Sequence, residues 1–407
     1  MTAMPHFSKL HLAAGVCAFW LAGCGGGGGS SLGGGPTPLP TGTNVAPLAV
    51  DSGPAGTVNT PFVSVTLCAP GTTDCRTIDH VLVDTGSSGL RIVASAISPA
   101  LTLPAVTDGG GNPTSECMQF ADGQSYGSML IADVKIAEEM ANALPMQLIG
   151  DPAFATIPAD CAGLGPPENT VQTLGANGVL GIGVFREDCG PACASSAVPG
   201  TYYSCPASGC VGAAMPLAQQ AQNPVPHFAV NNNGAVVVLR SVDPAGAAVV
   251  AGALVFGVDT ASNNRLTSGN VIHVNAATGA FPTIYRGQTL PASFMDSGST
   301  GLYFNDSALT VCGGSIAPDF YCPASLQSLS ATIQSVTGTS TDVSFKVANA
   351  ETLLTNNVTF IAFSNLAGTT PISGSFDWGL PFFYGRNVYV AIEGQNTSSG
   401  MGPYFAF

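Results

Sequence analysis

Val81-Leu82-Val83-Asp84-Thr85-Gly86-Ser87-Ser88-Gly89-Leu90 is the stretch of sequence that decides the fold. Three apolar residues lead into an aspartate, and Thr-Gly-Ser then turns the chain before apolar residues resume. A carboxylate directly after a β-rich apolar run lies at the end of a buried strand, where glycine permits a tight turn and hydroxyls can bond the carboxylate. One Asp-hydroxyl-Gly-hydroxyl match is weak evidence in a chain so rich in Gly, Ser and Thr.

The pattern occurs a second time, at Phe294-Met295-Asp296-Ser297-Gly298-Ser299-Thr300-Gly301-Leu302. In each half a long β-rich region follows the motif, and an apolar strand beside glycine follows that region. Ala176–Gly183 is this strand in the first half, and Trp378-Gly379 with the strand after it is the counterpart in the second. Two related halves that face each other would bring both carboxylates to one shared cleft.

Length and composition predict an all-β protein with two lobes. The 407 residues are too many for one small core, and the chain is 45% hydrophobic and 8% charged, with 51 Gly and 30 Pro. Such a composition is typical of a folded, turn-rich β protein. The net charge of −14 disfavours nucleic acid as a partner.

The N-terminus predicts a lipoprotein signal peptide over residues 1–23, with Cys24 as the lipidated residue. Lys9 provides a basic start, an apolar run extends from Leu12 to Leu21, and Leu-Ala-Gly-Cys resembles the bacterial lipobox. An ordinary cleaved signal with an incidental cysteine is the alternative. Gly25, rather than Asp, follows the cysteine, which favours the outer membrane if the cell has one. The predicted location is therefore the bacterial cell envelope, reached by export and held by lipid alone.

We assign residues 24–50 to a Gly/Pro-rich tether, 51–223 to an N-terminal β lobe and 224–407 to a C-terminal β lobe. Met215–Gln222 is expected to form a short helix before this boundary, because Pro224 would end it. An even number of further cysteines in an exported chain indicates disulfides. Close spacing favours the pairs Cys68–Cys75, Cys189–Cys193, Cys205–Cys210 and Cys312–Cys322, and Cys117–Cys161 remains as a long-range pair. The connectivity within residues 189–210 stays open. The chain has no paired Cys-x-x-Cys motif with a histidine nearby, so a zinc site is not indicated. No metal or cofactor is predicted.

Glu116–Gly127 predicts a β-hairpin, because Asp122-Gly123 is turn-prone and strand-like residues lie on both sides of it. Residues 128–136 continue as a strand. A hairpin at this point of the chain could overhang the cleft between the two motifs.

Taken in order over most of residues 60–407, these motifs resemble those of the bilobal, pepsin-like aspartic peptidases of bacterial type. The resemblance implies that Asp84 and Asp296 form a catalytic dyad that holds water between them, with an extended peptide or protein as substrate and a monomeric enzyme. It also implies supporting roles for the residues that follow each aspartate. Thr85 and Ser297 would hold the turns together, Ser87 and Ser299 would bond the outer carboxylate oxygens, and Gly86 and Gly298 would complete the turns.

The sequence departs from the family's pattern around the cleft. The family usually has a tyrosine two residues before the hairpin Asp-Gly, where this chain has Phe120, and a tryptophan after the first motif, where it has Arg91. Tyr126 could substitute in a reshaped hairpin. We therefore assign the hairpin residues that contact substrate as Phe120, Asp122, Gly123 and Tyr126. In the last motif, Asp377 and Leu380 break the usual apolar-apolar-Gly-Asp run.

Three other functions have to be weighed. Gly123–Gly127 matches the Gly-x-Ser-x-Gly pattern of serine hydrolases, but that motif requires a strand–turn–helix context, and residues 128–136 alternate like a strand. A pepsin-like lipoprotein that binds peptides without turnover is consistent with Phe120 and Arg91. A purely structural envelope protein is the third possibility.

Overall fold

The computed structural model describes residues 38–267 and 269–407. The predicted signal peptide, Cys24 and the first part of the tether lie outside the described residues. Within the described ranges, no helix is both long and apolar enough to cross a membrane.

The predicted all-β class is confirmed, because strands dominate both halves. The first half contains β1 (Val45–Val50), β2 (Pro61–Cys68), β3 (Cys75–Asp84), β4 (Ser88–Val93), β5 (Thr114–Gln119), β6 (Gln124–Ile136), β7 (Glu139–Ile149), β8 (Gly178–Ile182), β9 (Tyr202–Ser204) and β10 (Val211–Gly212). The second half contains β11 (Gly234–Leu239), β12 (Val250–Phe256), β13 (Val271–His273), β14 (Phe281–Tyr285), β15 (Gln288–Met295), β16 (Leu302–Tyr303), β17 (Gln327–Gln334), β18 (Ser340–Val347), β19 (Ala367–Gly368), β20 (Asp377–Trp378), β21 (Asn387–Ala391), β22 (Asn396–Thr397), β23 (Gly400–Met401) and β24 (Tyr404–Ala406).

The helices are short and lie between strands. They are α1 (Ala159–Ala162), α2 (Val171–Leu174), α3 (Pro191–Ser195), α4 (Ala350–Asn356) and α5 (Leu380–Phe383), with single 3₁₀ turns at Ala94–Ala96, Pro152–Phe154, Leu217–Gln219 and Val225–His227. The helix predicted for Met215–Gln222 is thus only the turn at Leu217–Gln219. Tertiary contacts prevail over local propensity here, because the Gln220 side chain is buried and donates to the carbonyls of Gly190 and Met215.

Two large sheets organise the chain. A 15-stranded sheet has the order β10-β9-β5-β6-β7-β4-β8-β3-β2-β1-β12-β11-β21-β24-β13, and a seven-stranded sheet has the order β18-β17-β14-β15-β20-β16-β19. β1 pairs with β2 on one side and with β12 on the other, so it joins the two halves.

The predicted tether therefore extends too far into the folded part of the chain. Val45–Val50 is a strand rather than tether, because Ala46, Leu48 and Val50 alternate with more exposed residues and are buried. The predicted lobe boundary at residues 223 and 224 falls between β10 and β11.

The same strand arrangement occurs once in each half and sets the position of each aspartate. β3 runs parallel to β8, which is antiparallel to β4, and β15 runs parallel to β20, which is antiparallel to β16. Asp84 ends β3 and Asp296 directly follows β15. The apolar residues before each aspartate anchor the turn, since Val83 and Met295 are fully buried.

All five predicted disulfides are confirmed. The bonded pairs are Cys68–Cys75, Cys117–Cys161, Cys189–Cys193, Cys205–Cys210 and Cys312–Cys322. Two of them lie within the segment whose connectivity the sequence left open. Such a density of disulfides indicates an exported protein.

Candidate active site

The inner oxygen of each aspartate is held by its own turn. The backbone N–H of Gly86 donates to Asp84 Oδ1 at 2.8 Å, and the N–H of Gly298 donates to Asp296 Oδ1 at 2.7 Å. Both positions also require close approach between the two turns. A Cβ at Gly86 would lie 2.5 Å from Asp296 Cγ, and one at Gly298 would lie 3.0 Å from Asp84 Cγ. The two glycines therefore allow the carboxyl groups to meet.

The outer oxygens are bonded by the serine hydroxyls. Ser87 Oγ donates to Asp84 Oδ2, and Ser299 Oγ donates to Asp296 Oδ2 at 2.9 Å. Each carboxyl group thus receives one backbone and one hydroxyl hydrogen bond, in the same arrangement in both halves. Hydrogen bonds of this kind favour the ionised form of a carboxyl group.

Reciprocal hydrogen bonds join the two turns beneath the carboxyl groups. The N–H of Thr85 donates to Ser297 Oγ at 3.1 Å, and the N–H of Ser297 donates to Thr85 Oγ1 at 3.0 Å. Each hydroxyl then donates across to the other half, Thr85 to the Met295 carbonyl at 3.0 Å and Ser297 to the Val83 carbonyl at 2.7 Å. All four residues are buried, so this network fixes the relative position of the aspartates.

The two carboxyl groups lie close together, because a Cβ at Gly298 would be 3.0 Å from both Asp84 Oδ1 and Asp296 Oδ1. Two carboxylates at such close range repel each other, so ionising both is costly. Burial raises the pKa of Asp296 well above its ordinary value, and the nearby charges of Asp84 and Asp377 raise it further. The pair therefore retains a proton to higher pH than an isolated aspartate would.

The aspartates lie on the floor of an open cleft with a cavity volume of about 120 Å³. The hairpin of β5 and β6 contributes Phe120, Ala121 and Asp122 to its wall, and Leu82 and Val179 form an apolar side. Gly123 lies in the turn of the hairpin and is buried against the chain near Pro166 rather than in the cleft wall.

Tyr126 does not replace the missing tyrosine of the hairpin, contrary to the expectation from sequence. Its side chain is 1% exposed, its hydroxyl shares a 2.9 Å hydrogen bond with Ser115 Oγ, and its ring packs edge-on against Tyr203. Tyr126 is absent from the residues that line the cleft. The alternation of β6 is the cause, because Tyr126 is paired with Cys117 and faces the apolar cluster behind the hairpin.

Arg91 is buried in an ion-pair network beside the hairpin rather than in the cleft. Its side chain is fully buried, with Nη2 at 2.5 Å from Glu116 Oε1 and 3.3 Å from Asp188 Oδ2, and Nη1 donates to the Ser88 carbonyl. Tyr202 donates its hydroxyl to Asp188 at 2.5 Å. Burial alone would lower the pKa of Arg91, but the two carboxylates outweigh burial and raise it. A guanidinium ion therefore bonds the strand Thr114–Gln119 of the hairpin, at the position where the resemblance led us to expect a tryptophan.

Tyr303 and Asp377 are among the cleft-wall residues that the sequence does not predict as site residues. Tyr303 and Asp377 both line the cleft, are 7% and 5% exposed, and lie opposite each other in register. The Tyr303 hydroxyl shares a 2.7 Å hydrogen bond with Thr300 Oγ1. Aligning the two motifs on their aspartates places Tyr303 at the position of Arg91, whereas the sequence marks Asp377 only as a departure from the family pattern.

One group of potential metal ligands occurs among residues 38–267 and 269–407. It consists of Cys312, Cys322 and Glu351, and its two sulfur atoms are bonded to each other in a disulfide. A disulfide sulfur is not the thiolate that metal ions prefer, so this group is a poor ligand set.

Comparisons with known proteins agree with the fold. A model of the family described as "Protein of unknown function (DUF3443)" matches residues 40–407. No curated protein matches the sequence. Among solved structures, the aspartic proteinase from Irpex lacteus is similar, with a TM-score of 0.51 and 14% sequence identity, over 89% of this chain and 96% of that chain. At this identity the similarity shows the bilobal pepsin-like fold.

Proposed function

Since the chain belongs to the DUF3443 family and has a pepsin-like fold, we propose that it is an aspartic endopeptidase with Asp84 and Asp296 as its catalytic residues. The observation that carries the proposal is the duplicated carboxyl site. Each carboxyl group has the same backbone and hydroxyl donors, and the two groups lie close together on the floor of the cleft.

The proposed mechanism uses the two carboxyl groups in different protonation states. Asp296, whose raised pKa retains the proton, donates a hydrogen bond to the carbonyl oxygen of the peptide. Asp84 acts as the general base on a water molecule between the two carboxyl groups, and that water attacks the polarised carbonyl carbon. The tetrahedral intermediate then collapses when a proton passes to the departing amine. Thr85 and Ser297 hold the geometry through their reciprocal bonds.

The cleft supports an extended peptide as substrate. The cleft lies between the two aspartates on its floor and the hairpin that carries Phe120 and Asp122. Its walls combine apolar and polar side chains. Phe120 supplies apolar contact to a peptide at the position where a tyrosine would add a hydroxyl.

A second candidate is a peptide-binding protein without turnover. Phe120 favours it, because a phenylalanine gives the hairpin no hydroxyl with which to position substrate.

The two candidates are distinguished by incubating purified protein with an unfolded protein substrate from acidic to neutral pH. We expect internal cleavage at acidic pH that a hydroxyl-containing transition-state mimic blocks. Binding of an extended peptide without cleavage at any pH would instead establish the second candidate.

We also propose that the protein is exported and anchored by lipid at Cys24. The five disulfides support export, and the sequence before Cys24 supports lipidation. In bacterial cells that express the full chain, Cys24→Ser should move the protein from the membrane to the soluble fraction and abolish incorporation of labelled palmitate. The matched control is Cys17→Ser, which should leave both unchanged. Equal membrane retention of the two variants would contradict the lipid anchor.

A further inference from the structure

The internal repeat shows which cleft residue is unusual. Leu82 on β3 pairs with Val179 on β8, and the corresponding Phe294 on β15 pairs with Asp377 on β20. The same position is therefore an apolar residue in the first half and a carboxyl group in the second. Both residues line the cleft beside the dyad.

Asp377 lacks the partners that a buried carboxyl group needs. Its side chain is 5% exposed, and its Oδ1 is buried without a hydrogen-bond partner. Tyr303 lies opposite it in register, and the nearby Ser299 hydroxyl donates its hydrogen to Asp296 instead. A buried polar atom without a partner destabilises the protein, so Asp377 requires a donor that the residues of the cleft do not supply.

The charge of the cleft indicates what would meet this requirement. None of the described residues that line the cleft is basic. Its acidic residues are Asp84, Asp122, Glu168, Asp296 and Asp377. A cation that enters the cleft is attracted by those of these groups that are ionised, and one that reaches Asp377 gains a hydrogen bond as well.

We propose that Asp377 binds the cationic side chain of a lysine or arginine that lies next to the scissile bond of the substrate. Asp377 is then a specificity-determining residue, and the enzyme cleaves peptides beside basic residues. The proposal rests on the proposed peptidase function and adds the class of substrate. The position of Asp377 supports it, because the residue is two positions before Gly379, whose backbone packs against Ser299 of the second aspartate turn.

The preference should increase with pH. Burial raises the pKa of Asp377 well above its ordinary value and the charge of Asp84 adds to this, while the nearby Ser299 hydroxyl opposes it. Asp377 thus retains its proton at mildly acidic pH, and a bound ammonium ion favours release of that proton. The other titratable groups that line the cleft are Asp296, Tyr303, Asp122 and Glu168. Burial raises the pKa of Tyr303, so its hydroxyl stays neutral and adds no negative charge.

The test compares pairs of peptides that differ at one position, where one peptide has lysine and the other has norleucine. The two side chains have similar length, but only lysine carries a charge. Sequencing the products of a peptide library first identifies the position beside the cleaved bond where lysine is enriched. For the paired peptides, we expect wild-type kcat/KM to favour lysine by about 10- to 100-fold, as for a hydrogen bond to a charged group. Asp377→Asn should reduce this ratio to near one. Asp243→Asn, which removes one charge from an exposed residue outside the cleft, should retain it. The ratio of kcat/KM for the two peptides is measured with one preparation of each variant. It therefore does not depend on the fraction of that variant that is folded.

A wild-type enzyme that cleaves both peptides equally would overturn the inference while leaving the peptidase function intact. So would Asp377→Asn protein that keeps the full preference. If the wild type cleaves neither peptide, the proposed function fails, and titration calorimetry of the two peptides still tests the subsite. Tighter binding of the lysine peptide, with proton release that the norleucine peptide lacks, would support Asp377 as the cation site, and equal binding would refute it.

Discussion

Replacing Asp84 or Asp296 with asparagine should reduce peptide hydrolysis by more than about 10³-fold, because the proposed mechanism gives each carboxyl group a separate proton-transfer role. Asparagine has nearly the same shape, and its amide oxygen can accept the backbone hydrogen bond from the turn. Gly86 N–H would still donate to the oxygen of residue 84 and Ser87 Oγ would accept from its amide nitrogen, so the turns should keep their geometry. The measurement is kcat/KM for a fluorogenic peptide, accompanied by the thermal unfolding midpoint.

Asp243→Asn is the matched control for this pair of variants. Asp243 is exposed and accepts a hydrogen bond from the N–H of Ala245, which an asparagine oxygen can also accept. This variant should retain wild-type activity. In the wild type, activity should fall as pH rises through the pKa of Asp296, because the proton shared by the dyad is then lost. If either dyad variant kept full activity, the shared-proton mechanism would be wrong.

The fold and the dyad could be read from the sequence because their signals are local. The motif at Asp84 carries its turn and hydroxyl residues within a few positions, and the second motif repeats them around Asp296. The disulfides follow the same rule, since four of the five pairs are separated by ten residues or fewer. Only Cys117–Cys161 spans 44 residues.

The environment of the cleft could not be read in the same way because distant segments form it. Arg91 contacts Glu116 and Asp188, which are 25 and 97 residues away along the chain. The role expected for Tyr126 was wrong for a related reason. A strand pattern shows that side chains alternate, but not which face is turned toward the cleft.

Replacing Arg91 with methionine should lower the free energy of unfolding by about 3–5 kcal/mol at neutral pH, as expected when one partner of a buried ion pair is removed. Methionine fills much of the space but leaves Glu116 and Asp188 buried without a counter-charge. Glu116 Oε2 and Arg91 Nε already lack hydrogen-bond partners, so the network has no spare donor to compensate. Urea unfolding followed by circular dichroism provides the measurement.

The control for this variant is Arg240→Met, because Arg240 is exposed and its loss should change the free energy of unfolding by no more than about 0.5 kcal/mol. A double variant, Arg91→Met with Asp188→Asn, removes one of the stranded charges and should recover part of the loss. Recovery would show that uncompensated charge, rather than poor packing of methionine, is the cause.

The pH dependence of the Arg91→Met loss separates electrostatics from packing. Burial and the neighbouring Glu116 already raise the pKa of Asp188 in the wild type, and loss of Arg91 should raise it further. In acid, protonation of Asp188 removes its negative charge, so the loss of stability in Arg91→Met should be small. This loss should grow as pH rises through the folded-state pKa of Asp188. Because Glu116 lies in the hairpin strand Thr114–Gln119, KM should rise together with the defect. A loss that is constant with pH, or no loss at neutral pH, would show that Arg91 does not stabilise the hairpin through its charge.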